Sequence, residues 1–353
     1  MDGIRRFVEQ YGKLPLSWAG STSEMNYLNF GDALSPVMVA LCTGMDVMRI
    51  PTSSKTPRIA AVGTIGHGFA GGEVCFWGTG CSSVKNPTIK GGERIPYTPP
   101  ADTKISIAAT RGPISEGLLS GGKGGPKTYG DPVWLLPRFY RPNVAKRWKL
   151  GVIVHLSELA DRDYVAHVNP NYRRYEIPAE FSQSIRLINT VTPISTTAIR
   201  ERLDDILACE RIVSTSLHGM VLAETYGIPC LYFGTARTPA GFGVADINPE
   251  SGIDLRILDL YGGLGLSRFE LYNQLRTAPT DWDALIKAID KTWKPKPLDE
   301  DRLLAAVPLG PKPVEKPATG SVFDLPLLQN LVLQHEVKAL RMEDAKRAKI
   351  VSR

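Results

Sequence analysis

The chain has 353 residues, 43% of them hydrophobic and 22% charged, with a net charge of +6. That is globular composition, with room for two domains of about 150 residues plus an extension. No stretch approaches the roughly 18 apolar residues that span a bilayer, and the N-terminal MDGIRRFVEQYGKLPLSW is too polar for a secretory signal. The five cysteines, Cys42, Cys75, Cys81, Cys209 and Cys230, contain no C-x-x-C pair, and no His/Cys cluster suggests a metal. They read as reduced, buried thiols of a cytosolic protein. The modest positive charge suits an anionic small substrate or an anionic membrane face. It would suit nucleic acid as well, but no basic, aromatic-interleaved motif supports that partner.

Along the first half, short apolar runs alternate with glycine-rich turns. NFGDALSPVMVALCTG (29–44) reads as a loop, a helix and a Gly stop, with Asp32 placed to cap the helix. RIAAVGTIG (58–66) and EVCFWGTG (73–80) each read as a strand that breaks into a Gly turn. KISIAATRGPISEGLL (104–119) reads as strand, turn and helix, with Pro113 close to the helix start, where its missing N–H costs nothing. TYGDPVWLLP (128–137) closes the half, with Asp131 as a turn residue at the junction. The basic PRFYRPNVAKRWK (137–149) reads as an exposed linker.

The second half repeats the alternation. LGVIVHLSE (150–158) and IRLINTVTP (185–193) read as strands, and STTAIRERLDDILACE (195–210) as a helix capped by Ser195 or Thr196. RIVSTS, LHGMVLAETYG and IPCLYF then read as strand, helix and strand. Such alternation predicts α/β architecture, with a parallel sheet and crossover helices in each half. From about residue 294 the chain turns rich in Pro and Lys, the composition of an extended linker. Residues 324–349 then read as one long helix that packs on the core, lies on a membrane surface or pairs with another copy. The predicted division is 1–140, 150–293 and a tail of 294–353.

Parallel sheets bind ligands at the carboxyl ends of their strands. Five loops sit there: 29–32, 63–68, 78–80, 111–113 and 215–219. They offer Asn29, Gly31, Asp32, Thr64, His67 and Thr79 as cleft-lining residues. A helix opens at Ser216, Leu217, His218 and Gly219, and a helix start presents free N–H groups and a partial positive charge to an anion. Arg111 could reach from the opposite half to hold a second anionic group, or bridge the halves as an ion pair. His218 can give or take a proton near neutral pH. Glu224 is either structural or a substrate contact. Trp77 is a core aromatic or a platform for a sugar face, and His155 and His167 read as incidental. These residues describe a cleft for an anionic, phosphorylated small molecule.

NFGDALS, ISIAATRGPISEGLL, YGDP and IVSTSLHGMVLAETYGIPCLYF, in this order, resemble the polysaccharide pyruvyltransferases, over roughly residues 26–233. The first motif is similar to that of enzymes of bacterial exopolysaccharide assembly, of the xanthan and succinoglycan kind. The resemblance implies two Rossmann-like domains facing a cleft, similar to the glycosyltransferase B type, with a C-terminal helical extension. It implies transfer of pyruvate from phosphoenolpyruvate to a hexose as a ketal, with no further cofactor and no metal. By the same resemblance His218 handles the donor and the proton, Arg111 contacts the donor, and Asp32 orients or deprotonates the sugar hydroxyl. Many members carry Arg where this chain has Ser216. Arg237, or the helix-start N–H groups, would take over its role.

The implied acceptor is a lipid-linked oligosaccharide or other glycan, met at the cytoplasmic face of the inner membrane. RFYRPNVAKRWK and KRAK fit that peripheral placement, and solvated basic surface is the alternative; a homo-oligomer is open. Two other readings remain: a glycosyltransferase of the same shape using a nucleotide sugar, and a non-catalytic carbohydrate-binding relative. A dinucleotide oxidoreductase is disfavoured, because no G-x-G-x-x-G opens a strand–helix unit with an acidic residue about 20 residues on.

Overall fold

The computed structural model describes residues 1–87, 93–235 and 239–351, with side chains through residue 348. Within these, two parallel sheets carry the fold. The first has five strands in the order Val47–Arg49, Leu14–Ser17, Arg58–Ala60, Gly72–Phe76 and Thr103–Ile107, every neighbour parallel. The second runs Ile185–Asn189, Leu150–Val154, Ile212–Ser214, Cys230–Gly234, Arg268–Asn273 and Gly241–Asp246; only the last pair is antiparallel. The strands buried on both faces, LGVIV and CLYFG, are continuous apolar or small runs, as a covered parallel sheet requires. The alternation expected in each half is therefore present.

Each sheet reverses direction once. In the first, the chain steps from 14–17 to 47–49 on one side, then returns to 58–60 on the other. In the second it steps from 150–154 to 185–189, then back to 212–214. A reversal leaves a crevice at the carboxyl ends of the two strands that flank it. Those ends are Ser17 and Ala60 in one sheet, Val154 and Ser214 in the other.

The helix Phe30–Thr43 lies between the two halves. All its residues except Asp32 are buried, so it has no solvent face and must be enclosed on every side. Just before it, Leu28–Asn29 pairs antiparallel with Val191–Thr192, and the Phe30 N–H donates to the Thr190 carbonyl at 2.8 Å. The helix thus belongs to the first half in sequence and is stapled to the second. Gly44, at φ 64°, ends it in the left-handed region and returns its N–H to the Ala40 carbonyl. One hydrophobic cluster accordingly runs from Leu14, Leu16 and Ile59 through Leu34 and Val37 to Ile153, Ile199 and Leu222.

Several segments differ from the sequence expectation. The polar N-terminus forms a helix, Asp2–Tyr11, that buries Ile4 and Phe7. The basic linker is only partly exposed, because Phe139 and Tyr140 are buried and Lys146 donates to the carbonyls of Leu207 and Cys209. The Pro/Lys-rich stretch contains the helix Glu300–Ala305. Its Leu303 is buried, and the Leu303 carbonyl accepts from the Trp77 indole at 2.9 Å, which makes Trp77 a core aromatic. Residues 324–349 are not one helix. Pro326–Gln329 is a short helix, Gln334–His335 pairs parallel with Ser21–Thr22, and only Val337–Val351 is long. This tail packs back on the first half: Asp344 is buried and accepts from the hydroxyls of Ser54 (2.9 Å) and Thr56 (2.7 Å). The five cysteines are all buried and free of disulfides. No helix among the described residues is long and apolar enough to cross a membrane.

Because Leu303 sits in the main core and not in a linker, Leu303→Ala should cost about 2–5 kcal/mol of stability. Urea unfolding of the purified chain measures this. A midpoint equal to wild type would show that the segment does not pack there.

Candidate active site

The two reversal crevices open into one cavity of about 660 Å³. Trp18 and Thr64 follow the flanking strands of the first sheet, while His155 and Ser216 follow those of the second, and all four line it. Strand order thus brings loops distant in sequence onto one space.

His218 comes from the second sheet. The strand Ile212–Ser214 ends, Ser216 takes an extended conformation as N-cap, and the helix Leu217–Thr225 begins. The Ser216 side chain caps nothing, so the first-turn N–H groups are not consumed by it. Ser214 instead fixes the turn, accepting from the Ser216 N–H and donating to the Ser216 carbonyl, both at 2.9 Å. His218 is buried, with Nε2 3.6 Å from Asp131 Oδ2. Neither atom has a hydrogen-bond partner. Asp131 is held because its other oxygen accepts the Val133 N–H at 3.0 Å, capping the turn that Pro132 begins. A carboxylate facing one imidazole nitrogen orients the ring and favours the proton on that nitrogen. Nδ1 is left for a ligand.

Gly31 seats the ring. A Cβ at position 31 would lie 2.0 Å from His218 Nδ1. Gly31 is therefore the floor beneath the imidazole and not a wall of the cavity. Gly219 likewise serves packing: a Cβ there would meet Ser214 Oγ at 2.3 Å.

Asp32 is in the first turn of helix Phe30–Thr43, but the N-cap is Asn29, which corrects the capping expectation. Asn29 Nδ2 donates to Asp32 Oδ2 at 2.7 Å. Both residues line the cavity. Burial raises the Asp32 carboxyl above its ordinary value, while His218, Arg256 and the Asn29 hydrogen bond pull it back. A carboxyl so placed is a candidate for proton transfer.

Asp32 is the only carboxylate on the described wall, which also holds Arg49, Arg256, Arg341 and the imidazoles of His67, His155, His218 and His335. Arg256 is gripped by Asp254, Nε at 3.0 Å and Nη2 at 2.6 Å, and its Nη1 donates to His155 Nε2 at 3.2 Å. His155 is pushed down to about 4, first by burial and then by Arg256. Burial also lowers His67. The space is built for an anion.

Sequence reasoning placed some residues here and misplaced others. Asn29, Asp32, Thr64, His67, Ser216, Leu217 and His218 all line the cavity. Arg111 does not. It is buried, 3.2 Å from Asp259 across the two halves, and its Nη1 donates to Thr64 Oγ1 at 2.7 Å. It positions Thr64 and bridges the sheets. Thr79 is fully buried behind the cavity, where its carbonyl accepts the Arg111 N–H. Glu224 is structural: Tyr261 (2.8 Å), Trp293 (3.0 Å) and Lys296 (3.1 Å) all meet its carboxylate. Arg237 lies outside the described residues. Asp131, His155 and Arg256 were missed as site residues. A signal existed for His155, which directly follows a strand of the second sheet; Arg256 had none, because the helix Leu255–Gly263 that carries it follows no recognised strand.

Fold and site define an α/β protein whose cation-lined cavity lies at the reversal points of two parallel sheets. A model of the polysaccharide pyruvyl transferase family matches residues 69–237, just under half of the chain, so this stretch is similar to that family. The family implies a transferase that moves a pyruvyl group onto a polysaccharide. No curated protein and no solved structure matches the chain.

His335 ties the tail to this wall. Its Nδ1 meets Arg49 at 3.1 Å, and burial with that cation pushes it down to about 4 from 6.5. A histidine depressed in the folded state binds a proton more readily when unfolded. Its contribution is present above about pH 6.5 and is lost as pH falls toward about 4. Thermal unfolding across that window should show wild type losing stability more steeply than His335→Gln. Parallel curves would remove His335 as a cause.

Proposed function

We propose that the protein transfers pyruvate from phosphoenolpyruvate to a hexose of a glycan and closes it as a ketal. The observation that carries this reading is the Asp131–His218 pair at the start of the helix Leu217–Thr225, facing a cavity with one carboxylate and three arginines. Phosphoenolpyruvate brings a phosphate and a carboxylate, and such a wall can neutralise both. In this reading residues 1–140 form the acceptor side, 150–293 the donor side, and 294–353 an extension, in a shape similar to the glycosyltransferase B type.

The chemistry needs proton transfer and anion binding. The donor methylene gains a proton and becomes a methyl group. One sugar hydroxyl adds to the neighbouring carbon, the carbon–oxygen bond to phosphate breaks, and a second hydroxyl closes the ring. Of the two hydroxyl protons, one equivalent ends on the methyl group and the other leaves with phosphate. His218 in its doubly protonated form delivers the first from Nδ1, with Asp131 holding the ring at Nε2. Asp32 receives a proton from the acceptor hydroxyl. Arg256, with the N–H groups at Ser216–His218, holds donor charge and takes the role that Ser216 cannot. No redox step occurs. The acceptor is a lipid-linked oligosaccharide met in the cytoplasm, at the inner face of the membrane.

Phosphoenolpyruvate at 100 times its dissociation constant should stabilise the wild type by about 2.7 kcal/mol in thermal unfolding. Stabilisation by UDP- or GDP-sugars alone would replace this reading with glycosyl transfer. His218→Ala should lower the rate of phosphate release with a glycan acceptor by about 10²- to 10⁴-fold. Gly31→Ala, which forces the imidazole from its seat, should fall into the same range while remaining folded. Wild-type rates in Gly31→Ala would exclude the ring position described here.

A further inference from the structure

A second, smaller pocket of about 290 Å³ adjoins the first, with His155 and Arg256 lining both. Its remaining wall includes Glu158, Arg174 and Arg276, and nothing in the reaction above uses them. Arg174 is fully buried. Its guanidinium lies against the rings of Tyr175 (4.9 Å) and Phe233 (4.8 Å), and only its Nη2 is hydrogen-bonded, to Glu158 and Tyr175. Nε and Nη1 have no partner. A buried N–H without an acceptor is costly to keep. Two unpaired nitrogens on one buried guanidinium call for an acceptor that arrives from outside.

The charges agree. Glu158 is consumed by Arg174, Tyr175 and Arg276, the last at 2.9 Å. Asp254 is consumed by Arg256. Three arginines thus face two satisfied carboxylates, and His155 is neutral, so one positive charge remains over. Arg276 stays partly exposed above Tyr172, so its N–H groups outside the Glu158 pair can meet a ligand. Planar guanidinium groups converging on a small polar pocket match a tetrahedral oxyanion.

We propose that this pocket is a phosphate-binding subsite beside the main cavity, with Arg174 and Arg276 as its cationic arms. Its occupant is either phosphate released next door or a phosphate group carried by a larger ligand; the link to turnover, but not the binding, rests on the reading of the reaction given above.

Calorimetry on the full chain tests it, with inorganic phosphate and diphosphate as probes. Wild type should bind at least one of them, and diphosphate alone would indicate a phosphate borne on a larger ligand. Arg276→Gln should weaken binding about 10- to 100-fold, the loss of a charged, hydrogen-bonding arm. Arg276→Lys, which keeps the charge, should recover part of it. His218→Ala should leave the affinity within about twofold. An equal or larger loss in His218→Ala would put the anion in the main cavity and overturn the proposal, as would no binding of either probe by wild type. Phosphate binding on this pattern with no response to phosphoenolpyruvate would keep the subsite and remove the pyruvyl reading.

Discussion

The structure depends on a helix that has nowhere to meet water. Phe30–Thr43 is apolar around its whole circumference, so it is stable only when enclosed. Enclosing it requires both sheets, and the pairing of Leu28–Asn29 with Val191–Thr192 fixes how deeply it enters. Burial of this helix therefore fixes the distance between the halves. Its first turn faces the cavity, and there Gly31 packs against the His218 ring while Asp32 lines the space. The contact is too close for any side chain at position 31. The geometry around His218 is a consequence of core packing.

Electrostatics then give the cavity its sign. Buried carboxylates elsewhere in the molecule are fully employed: Glu158 by two arginines, Asp254 by Arg256, Asp259 by Arg111 and Ser115. Asp131 differs, since one oxygen caps a turn and the other faces His218 with no further partner. Asp32 differs as well, bonded only through Asn29 and held above its usual range by burial. Asp131 faces the His218 imidazole directly, and Asp32 lines the same cavity. Polar groups left unpaired in a buried place are where function concentrates.

The alternation of strands and helices was legible because parallel strands buried on both faces are uninterrupted apolar runs, as in LGVIV and IPCLYF. The cavity-lining loops were legible because they follow such runs. What the sequence hid was partnership. Arg111 looked like a ligand-binding cation, but only the fold shows Asp259, 148 positions later in the chain, already paired with it. Arg256 looked like nothing, since the helix Leu255–Gly263 that carries it follows Gly241–Asp246, an edge strand of alternating exposure, and not an apolar run. Asp131 was read as a turn residue, which it is; that its second oxygen reaches His218 is a fact of three dimensions. The tail was read as one helix from its composition, while Gln334–His335 leaves the helical path to pair with Ser21–Thr22.

That pairing bears on how the site is divided. The family match runs from 69 to 237 and contains Asp131 and His218. It omits Asp32 before it, and Arg256, His335 and Arg341 after it. Val337, Leu340 and Arg341 are spaced to share one helix face, and all three line the cavity. Asp344, on the same face, is anchored by Ser54 and Thr56. This wall built from the tail is held to the first half by strand pairing, by the Ser54 and Thr56 hydroxyls and by the His335–Arg49 contact, none of which involves Asp131 or His218. The matched stretch thus holds the Asp131–His218 pair but not Asp32. The walls that would distinguish one acceptor from another are supplied from outside it.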